Sequence, residues 1–307
     1  MLKPSEVTPL NALLYAQMID EAGFPAGTFN LVNGDGLECG SALSRHKDID
    51  MMSFTGSTRA GIAVSKEAAE TVKRVTLELG GKSPNLVFAD ADLEDRVTGS
   101  VNDCFNNSGQ SCDAPTRLLV ERQVYDKVVG IAERVGSTVV VGNPEQEGAH
   151  IGPLVSDVQF GRVQALIEAG IAEGARLLVG GPGKPDGFET GYFVRPTIFS
   201  DVNNTMRIAR EEVFGPVLAI IPFDTEEEAI ANDTPYGLAA YVQTSDSARA
   251  ERVAANLRAG MVHINGSPHR YGSPFGGYKQ SGNGREGGLF GLEDFLEIKT
   301  VHVPLHI

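Results

Sequence analysis

Short apolar segments that alternate with helix-like segments are the feature that most restricts the fold of this 307-residue chain. Residues 51–54 and 75–79 have the apolar character of strands, and residues 57–69 between them have the pattern of a helix. Because parallel strands need a long crossover connection, this order predicts a parallel α/β sheet. The same alternation predicts further strands at 28–32, 85–88, 193–199, 217–223, 261–264 and 295–303, and helices at 9–22, 37–45, 93–106, 124–135, 157–173, 226–233 and 247–257.

The excess of acidic residues makes some classes of binding partner unfavourable. The chain has 40 acidic and 26 basic residues and a net charge of -14. Such a protein repels phosphate backbones and anionic lipid heads, so we expect neither nucleic acid nor a membrane as a partner. No apolar run approaches the roughly 18 residues of a membrane helix, and the first residues lack the apolar core of a signal peptide.

The three cysteines, at positions 39, 104 and 112, differ in their surroundings. Their odd number and wide spacing predict neither a disulfide framework nor a metal site, and they favour the reducing cytoplasm. Cys104 lies beside Val101 and Phe105 on an apolar helix face, which predicts a buried thiol, and Cys39 is interpreted as structural. Cys112 follows a run of small polar residues whose N–H groups could hold an oxyanion, so it is the candidate nucleophile.

A glutamate, Glu78, stands at the end of an apolar strand and is followed by Gly80 and Gly81. The carboxyl ends of parallel strands are where open sheets place their ligands, and an apolar setting raises the pKa of a carboxyl toward that of a general base. From these residues alone, a solvated glutamate at a domain junction is the competing interpretation. Without a histidine close to Cys112 in sequence, a cysteine hydrolase gains no local support, although a distant histidine stays possible.

Three glycine-containing turns complete the candidate site. Gly56 and Ser57 lie where a strand gives way to a helix, a place where free N–H groups can bind a phosphate, and a simple tight turn is the alternative. Glu212 and Phe214 enter a second turn, for which solvated acidic residues are the alternative. Residues 268–288 are dense in glycine and are predicted to form a long ordered loop of the kind that wraps a ligand.

These segments, taken in order from residue 3 to about residue 303, resemble the NAD(P)-dependent aldehyde dehydrogenase family. The resemblance rests on Lys-Pro-Ser-Glu at 3–6, Phe-Thr-Gly-Ser at 54–57, the glutamate motif at 77–83, Gly-Gln-Ser-Cys at 109–112, the segment 211–217 and Pro-Phe-Gly-Gly at 274–277. It implies a catalytic role for three residues, namely Cys112 as nucleophile, Glu78 as general base and Glu286 in proton relay. It also implies cofactor contacts for Lys3, Glu6, Gly56, Ser57, Leu79, Glu212 and Phe214.

The resemblance implies an aldehyde dehydrogenase-like α/β fold with four parts. Residues 1–80 would be the remaining part of a Rossmann-like cofactor-binding domain and 81–281 an α/β catalytic domain. Residues 282–295 would return to the cofactor domain, and 296–307 would form an oligomerisation strand and tail. The implied assembly of the full-length form is a homodimer or homotetramer.

The activity implied by the resemblance is oxidation of an aldehyde to a carboxylic acid through a thiohemiacetal and a thioester on Cys112. The presence of Glu78 favours hydrolysis of the thioester over transfer to coenzyme A. Glu6 should accept hydrogen bonds from the adenosine ribose and repel a 2′-phosphate, so NAD is expected in preference to NADP.

Two features depart from the family pattern. Family chains usually carry a long segment before the Lys-Pro-Ser-Glu motif, including an asparagine that donates to the oxyanion, and this chain contains no tryptophan. We therefore expect a truncated chain, with an incompetent fragment and a cysteine esterase as the alternative functions. Asp113, directly after Cys112, should oppose thiolate formation or else select a polar or cationic substrate.

Overall fold

A computed structural model describes residues 1–226 and 230–304 of the chain. Its strands are β1 Met51–Thr55, β2 Arg74–Glu78, β3 Pro84–Val87, β4 Arg117–Glu121, β5 Arg176–Val179, β6 Thr197–Ser200, β7 Val217–Phe223, β8 Ala239–Gln243, β9 Met261–Ile264 and β10 Gly282–Asn283. Its helices are α1 Leu10–Glu21, α2 Ser41–Arg45, α3 Thr58–Ala68, α4 Leu93–Phe105, α5 Tyr125–Gly136, α6 Asp157–Ala172, α7 Arg207–Arg210, α8 Ser247–Asn256 and α9 Gly288–Asp294.

The larger sheet has seven strands in the order β5-β6-β7-β4-β3-β8-β9. All of its pairs are parallel except β5 with β6. Successive residues of a strand face opposite sides of the sheet, so Leu218 and Ile220 pack under α4 and α5, while Ala219 and Ile221 pack under α6. Because helices cover both faces, the central strands are apolar on both sides, as buried parallel strands usually are.

The smaller sheet has three strands in the order β1-β2-β10. β1 and β2 are parallel, with α3 between them in the chain, and the register pairs Thr55 with Glu78. β10 runs antiparallel to β2 and pairs Gly282 with the same Glu78. The carboxyl ends of β1 and β2 therefore meet at one edge, with Glu78 between two neighbouring strands.

The parallel α/β architecture predicted from the sequence is confirmed. Residues 51–54, 75–79, 85–88, 217–223 and 261–264 lie in strands at or within one residue of the predicted bounds, and α3 to α6 and α8 also lie where they were predicted. The strand predicted at 28–32 is wrong, since Leu31 forms only an isolated bridge with Leu2. Two core strands, β4 and β8, were missed because each carries a buried polar residue. Arg117 donates to the carbonyl of Lys82, and Gln243 donates to Asn85 at 3.0 Å.

The C-terminal segment, predicted as an oligomerisation strand, forms no strand within the described single chain at residues 296–304. Its role between subunits stays a prediction. Residues 305–307 lie outside the described residues, as do 227–229 in the helix predicted at 226–233, of which the structure has a short 3-10 turn at Ile230–Asn232. The loop predicted at 268–288 is irregular apart from β10 and a 3-10 turn, and α9 follows it. Among the described helices none has the length and apolar character needed to cross a membrane.

Candidate active site

Cys112 lies just beyond the C-terminal end of α4, in a turn that the backbone holds tightly. After Phe105 the chain reverses through Asn107, Ser108 and Gly109, all of which have positive φ angles. The Ser108 hydroxyl donates to the Gly152 carbonyl at 2.8 Å. A Cβ at Gly109 would lie 2.2 Å from the Gly215 carbonyl oxygen, so only glycine fits this close approach. Because of this turn, Cys112 lies on the wall of a cleft, a short distance along the chain from the packed helix α4.

The electrostatic surroundings of Cys112 are acidic. Burial, followed by the charges of Asp113 and Glu212 and then of Glu78, raises the pKa of the Cys112 thiol to about 12. The Asp113 carbonyl accepts a hydrogen bond from the Tyr241 hydroxyl at 3.0 Å, which fixes the backbone next to the thiol. Cys104 is fully buried, so it cannot meet a solute, whereas Cys112 is partly exposed. The thiol thus needs a nearby base or a cation before it can act as a nucleophile.

Glu78 stands at the C-terminal end of β2, with only 5% of its surface exposed. Its Oε2 atom has no hydrogen-bond partner among the described residues. Burial and the charge of Glu286 raise the pKa of Glu78 to about 8, against the opposing charge of Arg285. A carboxylate with this pKa is suited to accept a proton near neutral pH.

Glu212 and Phe214 follow α7 and approach the glycines after Glu78. The Glu212 Oε1 atom accepts from the Gly81 N–H at 3.0 Å, and a Cβ at Gly80 would lie 2.1 Å from Oε2. Burial raises the pKa of Glu212, while the Gly81 hydrogen bond and the charge of Lys82 lower it. Phe214 has a positive φ of 52°. This glutamate is thereby held against the backbone at the base of the cleft.

The turn at Gly56 and Ser57 opens helix α3. The Ser57 hydroxyl accepts from the Ala60 N–H at 3.3 Å and caps the helix, and the Gly56 N–H donates to the Glu78 carbonyl at 3.0 Å. A Cβ at Gly56 would lie 2.6 Å from the Phe54 ring, so the backbone is open here because the residue is glycine. Leu79 packs beneath the helix, against Gly61. A helix N-terminus with an uncrowded turn is suited to hold a pyrophosphate.

These features line one cleft of about 720 Å³. Seven of the residues predicted for the site lie on its walls, namely Gly56, Ser57, Glu78, Leu79, Cys112, Glu212 and Phe214. Lys3 and Glu6 do not line it; they form an ion pair at 3.5 Å, and Lys3 also donates to the Gly34 carbonyl at 2.8 Å. Glu286 does not line it either, although its charge reaches Glu78.

Sequence reasoning missed the part of the cleft wall that α6 forms, which includes two polar residues. Gln159 donates to the carbonyls of Val213 and Phe214, both at 2.9 Å, and so holds the second turn in place. Arg162, three residues later, presents its side chain on the same helix face and lines the cleft. The sequence signal that could have identified them is a pair of polar residues at positions i and i+3 near the start of a predicted helix. No group of His, Cys, Asp or Glu within residues 1–226 and 230–304 is placed to hold a metal ion.

Comparison of the sequence with known proteins identifies the family that the chain resembles. The model of the aldehyde dehydrogenase family matches residues 1–301. The chain is 55% identical to the 3-succinoylsemialdehyde-pyridine dehydrogenase of a Pseudomonas species over 303 residues, which are 98% of this chain and 64% of that protein. It therefore spans less than two thirds of that relative's length.

Solved structures agree with the sequence comparison. A variant of aldehyde dehydrogenase C from Pseudomonas syringae, determined with NAD+ and octanal, is 55% identical and superimposes with a TM-score of 0.95 over 96% of this chain and 61% of that one. The aldehyde dehydrogenase of Mycobacterium tuberculosis, determined with NAD+, is 46% identical and superimposes with a TM-score of 0.96 over 100% of this chain and 63% of that one. The chain therefore belongs to the aldehyde dehydrogenase family.

Proposed function

We propose that this chain carries the nucleophile, the general base and the nicotinamide side of an enzyme that oxidises an aldehyde to a carboxylic acid with NAD. The observation that carries the proposal is the pairing of a partly exposed thiol, Cys112, with a buried carboxylate, Glu78, in one cleft. The charge of Glu78 raises the pKa of Cys112, so the two groups act on each other across that cleft. Nucleophile and base within one water-restricted site are what acyl chemistry on a cysteine requires.

The cofactor assignment rests on the fit of the residues around the cleft. Gly56 and Ser57 offer an uncrowded helix N-terminus to a pyrophosphate, and Glu212 offers a partly buried carboxylate to ribose hydroxyls. Leu79 and Phe214 would flank the nicotinamide, and Lys3 with Glu6 would hold the adenosine ribose. When bound, NAD supplies the hydride acceptor. Glu6 favours NAD over NADP because a carboxylate repels a 2′-phosphate.

Cys112 forms the covalent intermediates in this proposal. Its thiolate adds to the aldehyde carbon and gives a thiohemiacetal, whose oxidation leaves a thioester on the sulfur. Because the thiol pKa is about 12, the sulfur loses its proton to solvent as it attacks, and the Glu78 carboxylate stays available for the later hydrolysis step. The proposal assigns the backbone N–H groups of the Cys112 turn as donors to the oxyanion.

Glu78 then acts as the general base in hydrolysis of the thioester. A carboxylate whose pKa is about 8 takes a proton from water as the water adds to the acyl carbon, and the acid and the Cys112 thiol leave. The buried Oε2 atom, which lacks a partner among the described residues, is free to accept that proton. Hydrolysis, rather than acyl transfer to a thiol cosubstrate, is the proposed outcome.

The proposed substrate is a small-molecule aldehyde. The Pseudomonas relative is named for a pyridine-bearing semialdehyde, and the Pseudomonas syringae structure contains octanal, so relatives with 55% identity differ in their ligands. Asp113 favours a polar or cationic aldehyde, because it lines the cleft and its charge acts on Cys112. We further propose a cytoplasmic homodimer or homotetramer for the full-length protein.

The test is to mix the 307-residue chain with NAD and aldehydes and to follow the absorbance of reduced cofactor, with Cys112→Ala as the matched control. Cofactor reduction that depends on Cys112 supports the proposal. Hydrolysis of an activated ester with no cofactor reduction would instead support the cysteine esterase. Absence of cofactor binding and of both reactions would support an incompetent fragment.

A further inference from the structure

Two side chains of opposite charge lie against the same glycine beside the candidate base. A Cβ placed on Gly276 would lie 2.7 Å from the Glu78 Oε1 atom and 2.9 Å from the Arg285 Cδ atom. Both side chains therefore border the space that a Cβ at position 276 would fill. Glycine leaves that space open between them.

Arg285 is held in this place by its own contacts. Its Nη1 atom donates to the Gly277 carbonyl at 3.2 Å and to the Gly284 carbonyl at 2.6 Å. Its guanidinium carbon lies 5.5 Å from the centre of the Tyr278 ring. Its backbone N–H donates to Asp294 at 2.7 Å. A planar cation with several anchors loses little further freedom when it acts on a neighbour.

The charged and titratable groups around Glu78 come from two segments of the chain. Glu286 and Arg285 belong to the segment after β10, and their charges oppose each other at Glu78. The Cys112 thiol lines the same cleft, and the charge of Glu78 acts on it. Arg285 is the one cation in this set, and its contact with Gly276 brings it to the same backbone as the Glu78 carboxylate.

We propose that Arg285 is a positioning residue for Glu78: anchored on the Gly277 and Gly284 carbonyls beside Gly276, it is the cation that opposes Glu286 at the Glu78 carboxylate. The proposal rests on the proposed function in so far as Glu78 is the base. Without Arg285, Glu286 would act unopposed, and Glu78 would stay protonated, and so useless as a base, to a higher pH.

The experiment is a titration of Glu78 by NMR in the 307-residue chain labelled with ¹³C at glutamate carboxyls. The Glu78 signal is assigned by its loss in Glu78→Gln. We expect a midpoint near pH 8 in the parent chain, a rise of roughly 1 pH unit in Arg285→Gln, and a fall in Glu286→Gln. Arg285→Lys keeps the charge and should restore most of the parent midpoint.

Two results would overturn the proposal. One is an unchanged midpoint in Arg285→Gln; the other is a midpoint in Arg285→Lys that moves as far as in Arg285→Gln. If the glutamine variant does not fold, Arg285→Met replaces it, because the methionine stem still packs on Gly276 and Tyr278 while the charge is gone. The titration needs no turnover, so failure of the proposed function would appear separately, as a shifted midpoint in a chain that neither reduces cofactor nor hydrolyses esters.

Discussion

The two sheets follow the same strand–helix–strand pattern but bury their residues very differently. All four residues of β3 are buried, as are six of the seven in β7. In β1 no residue is buried. The four apolar core clusters begin at residue 86 and draw on the larger sheet and its helices. The cleft therefore joins a well-packed wall, which carries Cys112, to a thinly packed one, which carries Gly56 and Ser57.

The helices α4 and α1 differ in burial in the same way as the two sheets. α4 and α1 have 13 and 12 residues, and both repeat apolar residues at helical spacing. α4 buries Val97, Val101 and three further apolar side chains, whereas α1 buries only Ala12 and leaves Leu14 and Met18 more than half exposed. Apolar periodicity thus predicts that a helix exists and which face is apolar. It does not predict what that face packs against.

The largest effect is expected at the two cysteines of the well-packed wall. One of them should affect turnover and the other the free energy of unfolding. Cys112→Ala should lower cofactor reduction or ester turnover by roughly 10⁴-fold or more with little change in the free energy of unfolding, because the nucleophile is lost from a turn. Cys104→Ala is the matched control. It should leave turnover largely intact but destabilise the core around Phe105 by about 1 to 2 kcal/mol. Urea unfolding and initial rates measure both, and a reversal of the two phenotypes would refute the assignment.

A second prediction concerns Gly276, which lies beside the Glu78 carboxylate. Gly276→Ala should slow deacylation by roughly 10- to 1,000-fold, because the new Cβ would overlap the Glu78 carboxylate and the Gly284 carbonyl. Gly99→Ala in α4 is the control, since a Cβ there meets nothing within 4 Å and should stabilise the helix by about 0.5 to 1 kcal/mol. Stopped-flow release of product from an activated ester gives the deacylation rate. Equal rates in parent and Gly276→Ala would show that the glycine does not position the base.

The sequence predicted much of the architecture and the chemical groups on the cleft walls, but little of their energetics. Glu78, Cys112 and Glu212 could be identified because the order of the motifs can be read directly along the sequence. The pKa of about 8 at Glu78 depends on burial and then on the charges of Glu286 and Arg285, which follow more than 200 positions later, just after β10 pairs with β2. β4 could not be predicted from its apolar residues alone, because Arg117 is satisfied by partners from distant segments.

A third prediction uses the pH dependence of stability. The folded-state pKa of Glu78 is about 8 and its ordinary value is 4.5, so ionisation favours the unfolded chain. The stability that Glu78 contributes is therefore present below about pH 4.5 and lost as the pH rises toward 8. Glu78→Gln stays neutral and should be more stable than the parent by about 1 to 3 kcal/mol at pH 9, with a much smaller difference at pH 5. Thermal unfolding at the two pH values measures this, and a gain of the same size at both would exclude the ionisation as its cause.

The smallest effect is expected on the thinly packed side. Leu14→Lys in α1 should change the free energy of unfolding by less than about 0.5 kcal/mol and should reduce aggregation, since Leu14 is 57% exposed. Val101→Ala in α4, at a fully buried position, should cost about 1 to 3 kcal/mol. Chemical unfolding and light scattering record both quantities. A large loss in Leu14→Lys would mean that α1 packs more firmly than its exposure indicates.

The most direct test of the central claim, that Cys112 is the nucleophile and Glu78 the base of one site, is mass spectrometry of the chain during reaction with an activated ester. Acylation and hydrolysis of a thiol need no cofactor, so the outcome does not depend on NAD binding. Glu78→Gln should accumulate an acyl group on the peptide that contains Cys112, because deacylation slows by about 100- to 10,000-fold, while the parent chain should turn over and stay largely unmodified. An acyl group on Cys39 or Cys104, or a Glu78→Gln chain that clears its adduct as fast as the parent, would contradict the account.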